Sequence, residues 1–316
     1  MIDLAVRALF PEPPGADLVQ AFRLHVATCG QPETFPRIST ARPPKDGDLI
    51  VLHHPIDIDR RRRPESDMAP CPICSPQDPK YLKGGTLIWC DATSAVYAIG
   101  PKCSLTLWED GRLNTAVNLF LQAEKEKQNA AVLRAELPKV AALRAWIASY
   151  QGLAEKLDRL HRSLAKDAPK LRGALSRALR TGTAATSSIK GIDFLRGGWN
   201  LAKDLSEADA SLADVERAMG QDSKAFVIRL SATAVAQRLA SLKAARATLT
   251  RTAERMAAAA DFTARSNCEA LGRLSKSESA PMNFKISHTA STMDLRSDAE
   301  RWSGAVGIAP PSPVPA

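Results

Sequence analysis

The pattern of hydrophobic and polar positions changes at about residue 112. From there to about residue 272, apolar residues recur every three or four positions, which is the period of a helix buried on one side. The most regular stretch runs from about 223 to 271, and a single helix of that length would be roughly 70 Å long. Such a length favours a coiled coil or a long bundle. Its apolar seam, interrupted by Arg246, consists of Ile228, Ala232, Val235, Leu239, Leu242, Leu249, Ala253, Met256 and Ala260.

Two prolines divide the helical region further. Pro138 and Pro169 lack the N–H group that continues a helix, so each predicts a kink or a new start. The long seam needs an apolar partner, which could be the helices of residues 139–180 folded back on it or a second copy of the chain. We therefore predict a mainly α protein, an elongated helical bundle or antiparallel coiled coil that self-associates through its helices.

The residues before 112 contain shorter elements. A short helix is predicted at 17–26, a strand at 48–53, and a β-hairpin from two apolar runs, 86–90 and 95–99, that flank turn residues. After residue 272 the helical period is lost and prolines crowd the end, which is typical of an extended, flexible chain. The pattern thus predicts four segments: a proline-rich segment 1–68, a small module 69–111, a helical region 112–272 and a flexible Pro/Ser-rich tail 273–316.

The composition indicates the class of partner. The chain is 45% hydrophobic but only 5% aromatic, and alanine and leucine favour helices. Its net charge of +9 suggests an acidic partner such as nucleic acid or an anionic surface. No run approaches the ~18 apolar residues of a membrane span, and the N-terminus is too short for a secretory signal. The protein is therefore expected to be soluble and cytoplasmic, with no membrane partner.

The basic residues are unevenly distributed. Residues 156–180 contain eight basic residues against two acidic ones, a local charge of +6, whereas 203–222 contains six acidic residues against two basic ones. The basic segment could contact phosphates, or it could dock on the acidic segment within or between chains. Four arginines at 60–63 are expected to be exposed in any fold, as a solvated connector or as phosphate contacts. The candidate nucleic-acid-binding residues are Arg60, Arg61, Arg62, Arg63, Arg159, Arg162, Lys166, Lys170 and Arg177.

Four cysteines between residues 71 and 103 carry the clearest chemistry. Cys71 and Cys74 are separated by two residues, and Cys90 and Cys103 follow at longer intervals. Clustered cysteines in a reducing compartment are more often metal ligands than disulfides, and zinc prefers four ligands such as thiolates in a tetrahedron. Two cysteines at this spacing can bind one side of the ion. The pattern predicts a zinc site at Cys71, Cys74, Cys90 and Cys103.

The segment 69–105 resembles the small treble-clef or ribbon fingers of bacterial and phage proteins. The resemblance lies in Cys71-Pro-Ile-Cys74, a hairpin, and then Gly100-Pro-Lys-Cys103, a turn that in those fingers delivers a ligand at the start of a helix. It implies zinc at Cys71, Cys74 and Cys103, and leaves His53 or His54 as alternatives to Cys90 for the fourth ligand. Four protein ligands would leave no open position for water, so the zinc would be structural.

Catalytic motifs are missing from the sequence. It contains no phosphate-binding Gly-rich loop, no Gly-x-Ser-x-Gly and no His-Glu-x-x-His, and His161 lies among leucines where a core position is expected. The leading hypothesis is a non-catalytic, oligomeric zinc-finger and coiled-coil protein that binds nucleic acid through basic faces, in a bacterial or phage setting. The alternatives are a structural adaptor for protein–protein assembly and an inhibitor or regulator of a protein partner.

Overall fold

The protein is mostly helical with small antiparallel sheets. A computed structural model describes residues 9–64, 67–181, 189–219, 223–277 and 280–315. The chain divides into two compact units, residues 1–127 and 128–316. In the described parts of the chain, each helix is either too short or too polar to cross a lipid bilayer.

The first unit contains a sheet and a separate hairpin. The sheet has the antiparallel order β1 (Leu49–Ile56), β4 (Gly85–Cys90), β5 (Ala95–Ile99), and the hairpin pairs β2 (Ala69–Cys71) with β3 (Ser75–Tyr81). These elements and the helix that precedes them share one core, so the predicted module 69–111 is not separate from the N-terminal segment. The preceding helix is α1 (Ala16–Cys29), and α2 (Pro101–Leu107) follows β5.

The predicted hairpin at 86–99 is confirmed. Cys90 pairs with Ala95 at its turn, and Thr86 pairs with Ile99 at its open end. Both strands are buried along their whole length, and they share one apolar core with Leu18, Phe22 and Val26 of the preceding helix α1. The next helix starts immediately after the open end, which fixes where Cys103 lies.

The second unit is built from helices and one sheet. The unit boundary at residue 127 falls within α3 (Arg112–Glu136), and Pro138 lies in the short turn before α4, as predicted. The remaining elements are α4 (Val140–Asp167), α5 (Pro169–Thr181), α6 (Leu201–Met219), α7 (Ser223–Arg229), α8 (Ala232–Phe262), α9 (Arg265–Leu274), β6 (Phe284–His288), β7 (Thr292–Ser297) and β8 (Arg301–Ala305).

The prediction of one helix from 223 to 271 is wrong, because polar side chains divide it. The Ser231 hydroxyl accepts a hydrogen bond from the Ala234 N–H at 3.2 Å and begins α8, while the Thr263 hydroxyl donates to the Ala259 carbonyl at 2.9 Å and ends it. The 31 residues of α8 span about 46 Å. Ile228 is 72% exposed. Most of the seam packs against α6 and α4 of the same unit, so no second copy is needed to bury it.

The prediction of a flexible tail over 273–316 does not hold for residues 284–305. Residues 284–305 form an antiparallel sheet in the order β6-β7-β8. One face of it buries Phe284, Met293, Leu295 and Trp302 in the helical core, and this burial offsets the entropy of ordering the chain. Each strand alternates buried and exposed positions, a period-2 pattern that the prolines at the chain end obscure.

Two carboxylates connect distant elements of the second unit. Asp158 on α4 accepts hydrogen bonds from the N–H groups of Leu201 and Ala202, both at 3.0 Å, and so caps α6. Glu300, just before β8, accepts from the N–H groups of Lys170 and Leu171 at 3.0 and 2.8 Å and caps α5. The sheet is therefore fixed to the helices by capping as well as by apolar packing.

His161 occupies the core position that the leucine pattern predicts. Its ring stacks on Trp199 with centroids 5.1 Å apart, and Nε2–H donates to the Arg196 carbonyl at 2.8 Å. Burial lowers the pKa of His161, and the hydrogen bond to Arg196 offsets part of this effect. The imidazole is therefore neutral in the folded protein near pH 7.

Acidification is expected to destabilise the second unit. The unfolded chain binds a proton at His161 more readily than the folded chain, so stability is complete above the unfolded pKa of ~6.5 and is lost as the pH falls toward the lower folded pKa. The loss from this group is at most ~1.4 kcal/mol per pH unit. Urea unfolding between about pH 5 and pH 8 measures it. His161→Gln should show a flatter profile, and an unchanged slope would contradict this role.

Candidate metal centre and basic surfaces

Three cysteines of the first unit come together in one cluster. Cys71 ends β2, Cys74 lies in the turn before β3, and Cys103 lies in the first turn of α2. Their Sγ atoms all lie within 4.8 Å of one another, close enough to bind one metal ion, and the Cys103 and Cys74 sulfurs are 2.8 Å apart. Tetrahedral Zn–S bonds of about 2.3 Å would hold sulfurs about 3.8 Å apart, so small side-chain adjustments suffice.

Glycines allow the cluster to form. The Tyr81 ring at the end of β3 packs against Gly85 and Gly100, and a Cβ at Gly85 would lie 2.4 Å from the ring. This close approach holds the β2–β3 hairpin against the open end of the β4–β5 hairpin. The Gly100 N–H then donates to the Cys71 Sγ at 3.3 Å. Hydrogen bonds of this kind orient a thiolate ligand and stabilise its charge.

The thiols also influence one another's protonation. Burial, followed by the hydrogen bond with Cys74 and the nearby Cys71, raises the pKa of Cys103 to about 12. Without a metal ion, Cys103 therefore keeps its proton at neutral pH. Binding of a cation would have to displace protons from the cluster, as in other thiolate sites.

The other predicted zinc ligands lie elsewhere. Cys90 lies at the turn end of the β4–β5 hairpin. Thr86, four residues earlier, lies at the open end, from which the chain continues to Cys103. The two ends are about 13 Å apart along the strand. The Cys90 thiol donates to the Asp46 carbonyl at 4.0 Å. His54 contacts the Thr86 hydroxyl through Nδ1 at 3.0 Å, and His53 pairs with Leu87 in the sheet. Among the described residues, none of the three joins the cysteine cluster.

The four arginines at 60–63 have different environments. Arg60, Arg61 and Arg62 are exposed, and Arg61 and Arg62 lie 3.0 and 3.8 Å from the Asp59 carboxylate. The expectation of exposure is wrong for Arg63, whose side chain is 3% exposed. It forms ion pairs with Glu33 at 2.8 Å and Asp67 at 2.6 Å, so it stabilises the fold and is unavailable to a ligand.

The basic segment 156–180 lies on α4 and α5. Arg159, Arg162 and Lys166 lie within about 60° of one another around α4, and Lys170 and Arg177 share one side of α5. All five are exposed, as are Lys156 and Arg180. Within the described residues, none of these seven side chains forms an ion pair with a carboxylate. We call these seven residues the α4–α5 basic surface.

The acidic residues of 203–222 have other partners. Asp209, at 2.8 Å, and Glu216 both bind Arg144, while Asp204 lies 3.8 Å from Arg255. Glu207 and Asp214 pair with neighbours on α6 itself. Asp222 lies outside the described residues. The described ion pairs therefore do not join the acidic segment to the α4–α5 basic surface.

Three further basic residues escaped sequence reasoning. Lys285, Arg296 and Arg301 belong to the segment predicted to be a flexible tail, yet they lie next to one another on the β6–β8 sheet. Only recognition of the period-2 pattern in 284–305 could have placed them together. No family model matches this chain, and neither the curated proteins nor the solved structures contain a match to it.

Proposed function

We propose that this protein is a non-catalytic nucleic-acid-binding protein whose first unit is held together by a structural zinc ion. Its α4–α5 basic surface contacts backbone phosphates without reading base sequence. The observation that carries the proposal is that seven cations on α4 and α5 are exposed and lack carboxylate partners among the described residues, while Asp204, Asp209 and Glu216 of the acidic segment pair with Arg255 and Arg144.

The chemistry of the cysteines supports zinc in the first unit. Thiolates are soft ligands that select zinc over magnesium or calcium. Cys71, Cys74 and Cys103 supply three ligands and leave one coordination position of a tetrahedral ion to a further ligand. The structural role is therefore inferred from the link that a metal ion there would make between the β2–β3 turn and the start of α2. Such a link adds stability to a unit that has short strands and a modest core.

The dimensions of the helical surface suit a phosphate backbone. Residues 159 to 166 cover about 10 Å of α4 at 1.5 Å per residue. Successive phosphates of one DNA strand advance about 3.4 Å along the duplex axis, so this run faces about three of them. The binding is expected to be tight at low salt and independent of sequence, because the contacts are to phosphates.

A salt series tests the proposal. Fluorescence anisotropy with a random-sequence duplex should show an affinity loss on the order of 10³-fold between about 50 and 200 mM salt if six phosphates are neutralised. The salt slope is the steepness with which the logarithm of the affinity falls with the logarithm of the salt concentration. Changing Arg159, Arg162 and Lys166 to Gln should lower this slope by roughly 2.7, at about 0.9 per phosphate contact.

A matched variant controls for net charge. Lys203, Arg217 and Arg229 are also exposed, and the first two are paired with acids on α6. Changing these three to Gln removes the same charge and should leave the slope within about one unit of the original. Absence of duplex binding by the unmodified protein at low salt would contradict the proposal. Equal losses in both variants would contradict its assignment to α4.

A further inference from the structure

The exposed face of the β6–β8 sheet carries a row of three cations. Lys285 pairs directly with Arg296, and Arg296 pairs directly with Arg301, so the row crosses all three strands. All three residues are exposed, and cross-strand partners of this kind have Cβ atoms about 4.5–5.5 Å apart. Like charges placed directly opposite one another destabilise a sheet. In the described chain, none of the three forms an ion pair, so the fold leaves this repulsion in place.

A groove beside the row adds further positive charge. It has a volume of about 560 Å³, lies between α9 and β6, and is lined by Arg273, Lys276, Lys285 and His288 among others. Lys285 belongs to both the row and the groove. Arg273 and Lys276 are exposed and have no carboxylate partner among the described residues.

Acidic residues near this region do not cancel the charge. Glu269 in the groove lies 3.8 Å from Arg265. Glu300 accepts hydrogen bonds from the backbone N–H groups at the N-terminus of α5. Asp294 shares the exposed face, but its cross-strand neighbours are the uncharged Ser287 and Ser303. Five exposed cations on α9 and the sheet therefore lie near two carboxylates that form no ion pair among the described residues: Asp294 on the same sheet face, and Asp298 in the β7–β8 turn, which accepts from the Asn283 side chain at 3.5 Å.

We infer that this α9–sheet surface, formed by Arg273, Lys276, Lys285, Arg296 and Arg301, is a second phosphate-binding surface for a nucleic acid duplex. The inference rests on the proposed function and names a further site for the same partner. A polyanion relieves the repulsion within the row, and a sheet holds the three cations side by side over about 10 Å.

The absence of stacking groups favours a duplex over a single strand. Phe284 and Trp302 are the aromatic residues of this sheet, and they are 2% and 1% exposed. Single-strand binding surfaces stack bases on exposed aromatic rings in addition to contacting phosphates. A surface of cations without an exposed Phe, Tyr or Trp ring contacts the outside of a duplex, where phosphates are presented and bases are stacked internally.

The test compares three variants of the full chain with a random-sequence duplex across a salt series. The first changes Lys285, Arg296 and Arg301 to Gln, and it should lower the salt slope by roughly 2.7 and weaken binding at least tenfold at about 100 mM salt. Its melting temperature should equal or exceed that of the unmodified protein, because repulsion is removed. The second, Arg273→Gln with Lys276→Gln on exposed helix positions, should lower the slope by about 1.8. The third is the Lys203, Arg217 and Arg229 control.

The outcomes separate this inference from the proposed function. The α4 variant is the one with Arg159, Arg162 and Lys166 changed to Gln. If the unmodified protein binds duplex and the α4 variant binds it more weakly, but both α9–sheet variants bind like the control, the second surface is refuted and the proposed function is supported. If the unmodified protein does not bind duplex at low salt, or binds only phosphatidylserine vesicles, both are refuted. If the α9–sheet variants lose duplex affinity and the α4 variant does not, the inference is supported and the assignment of phosphate contacts to α4 is refuted.

Discussion

Replacing Cys71 with serine is expected to reduce the metal content from about one ion per chain to nearly none. Cys71 is fully buried, and its sulfur lies within 4.8 Å of the Cys74 and Cys103 sulfurs. Cys29 and Cys90, the other cysteines of this unit, lie outside the cluster, so neither thiol can replace that of Cys71. The first unit should lose a few kcal/mol of unfolding free energy. That is less than the ~10–16 kcal/mol of isolated zinc fingers, because this unit also has an apolar core. Elemental mass spectrometry of the purified protein measures the metal.

Cys90→Ala is the matched control for this change. Cys90 is as buried as Cys71 but lies at the opposite end of its hairpin, so the variant should keep its metal and lose only packing energy. Far-ultraviolet circular dichroism should change little in either variant, because most helices belong to the second unit. Metal-free, fully folded unmodified protein would refute the metal centre. Loss of metal in Cys90→Ala would refute the assignment of three ligands.

The sequence predicted the cysteine cluster because its signals are local. Two cysteines separated by two residues share one turn, and Gly100-Pro-Lys-Cys103 places the third thiol at a helix start. Residue spacing alone does not distinguish Cys90 from the other three cysteines, since its distance from them depends on the hairpin register. That register places Cys90 beside the turn and Thr86 beside the cluster. Pairing over long distances is set by tertiary packing, which residue spacing does not contain.

The two errors in the helical half have a similar origin. A seam from 223 to 271 has the correct period, but the breaks at Ser231 and Thr263 arise from side-chain hydrogen bonds to the backbone that compete with the helix. The β6–β8 sheet is stable because its apolar face meets the helical core, with Trp302 donating to the Ser163 hydroxyl at 2.9 Å. Strands this short gain their stability from such packing, so local pattern alone underrates them.

Replacing Arg63 with methionine is expected to destabilise the first unit by roughly 2–4 kcal/mol. The guanidinium is 3% exposed, and it binds Glu33, Asp67 and the Gly30 carbonyl, the last at 2.7 Å. Burial alone would lower the pKa of Arg63, but the hydrogen bonds with Glu33 and Asp67 raise it, so the group stays charged. Methionine fills similar space but leaves these partners without their cation. The two carboxylates are 21% and 30% exposed, so water compensates part of the loss.

Arg61→Met is the matched control, because Arg61 belongs to the same arginine run and its side chain is 90% exposed. Its ion pair with Asp59 is a solvent-exposed surface pair, so its loss should leave the stability of the first unit nearly unchanged. Hydrogen exchange of peptides covering β4 and β5, measured in both variants, reports on the first unit separately from the helical unit. Equal exchange rates in the two variants would show that Arg63 is not a structural ion-pair centre. Faster exchange in Arg63→Met alone would show that Arg63 stabilises the first unit, whereas Arg61 of the same arginine run does not.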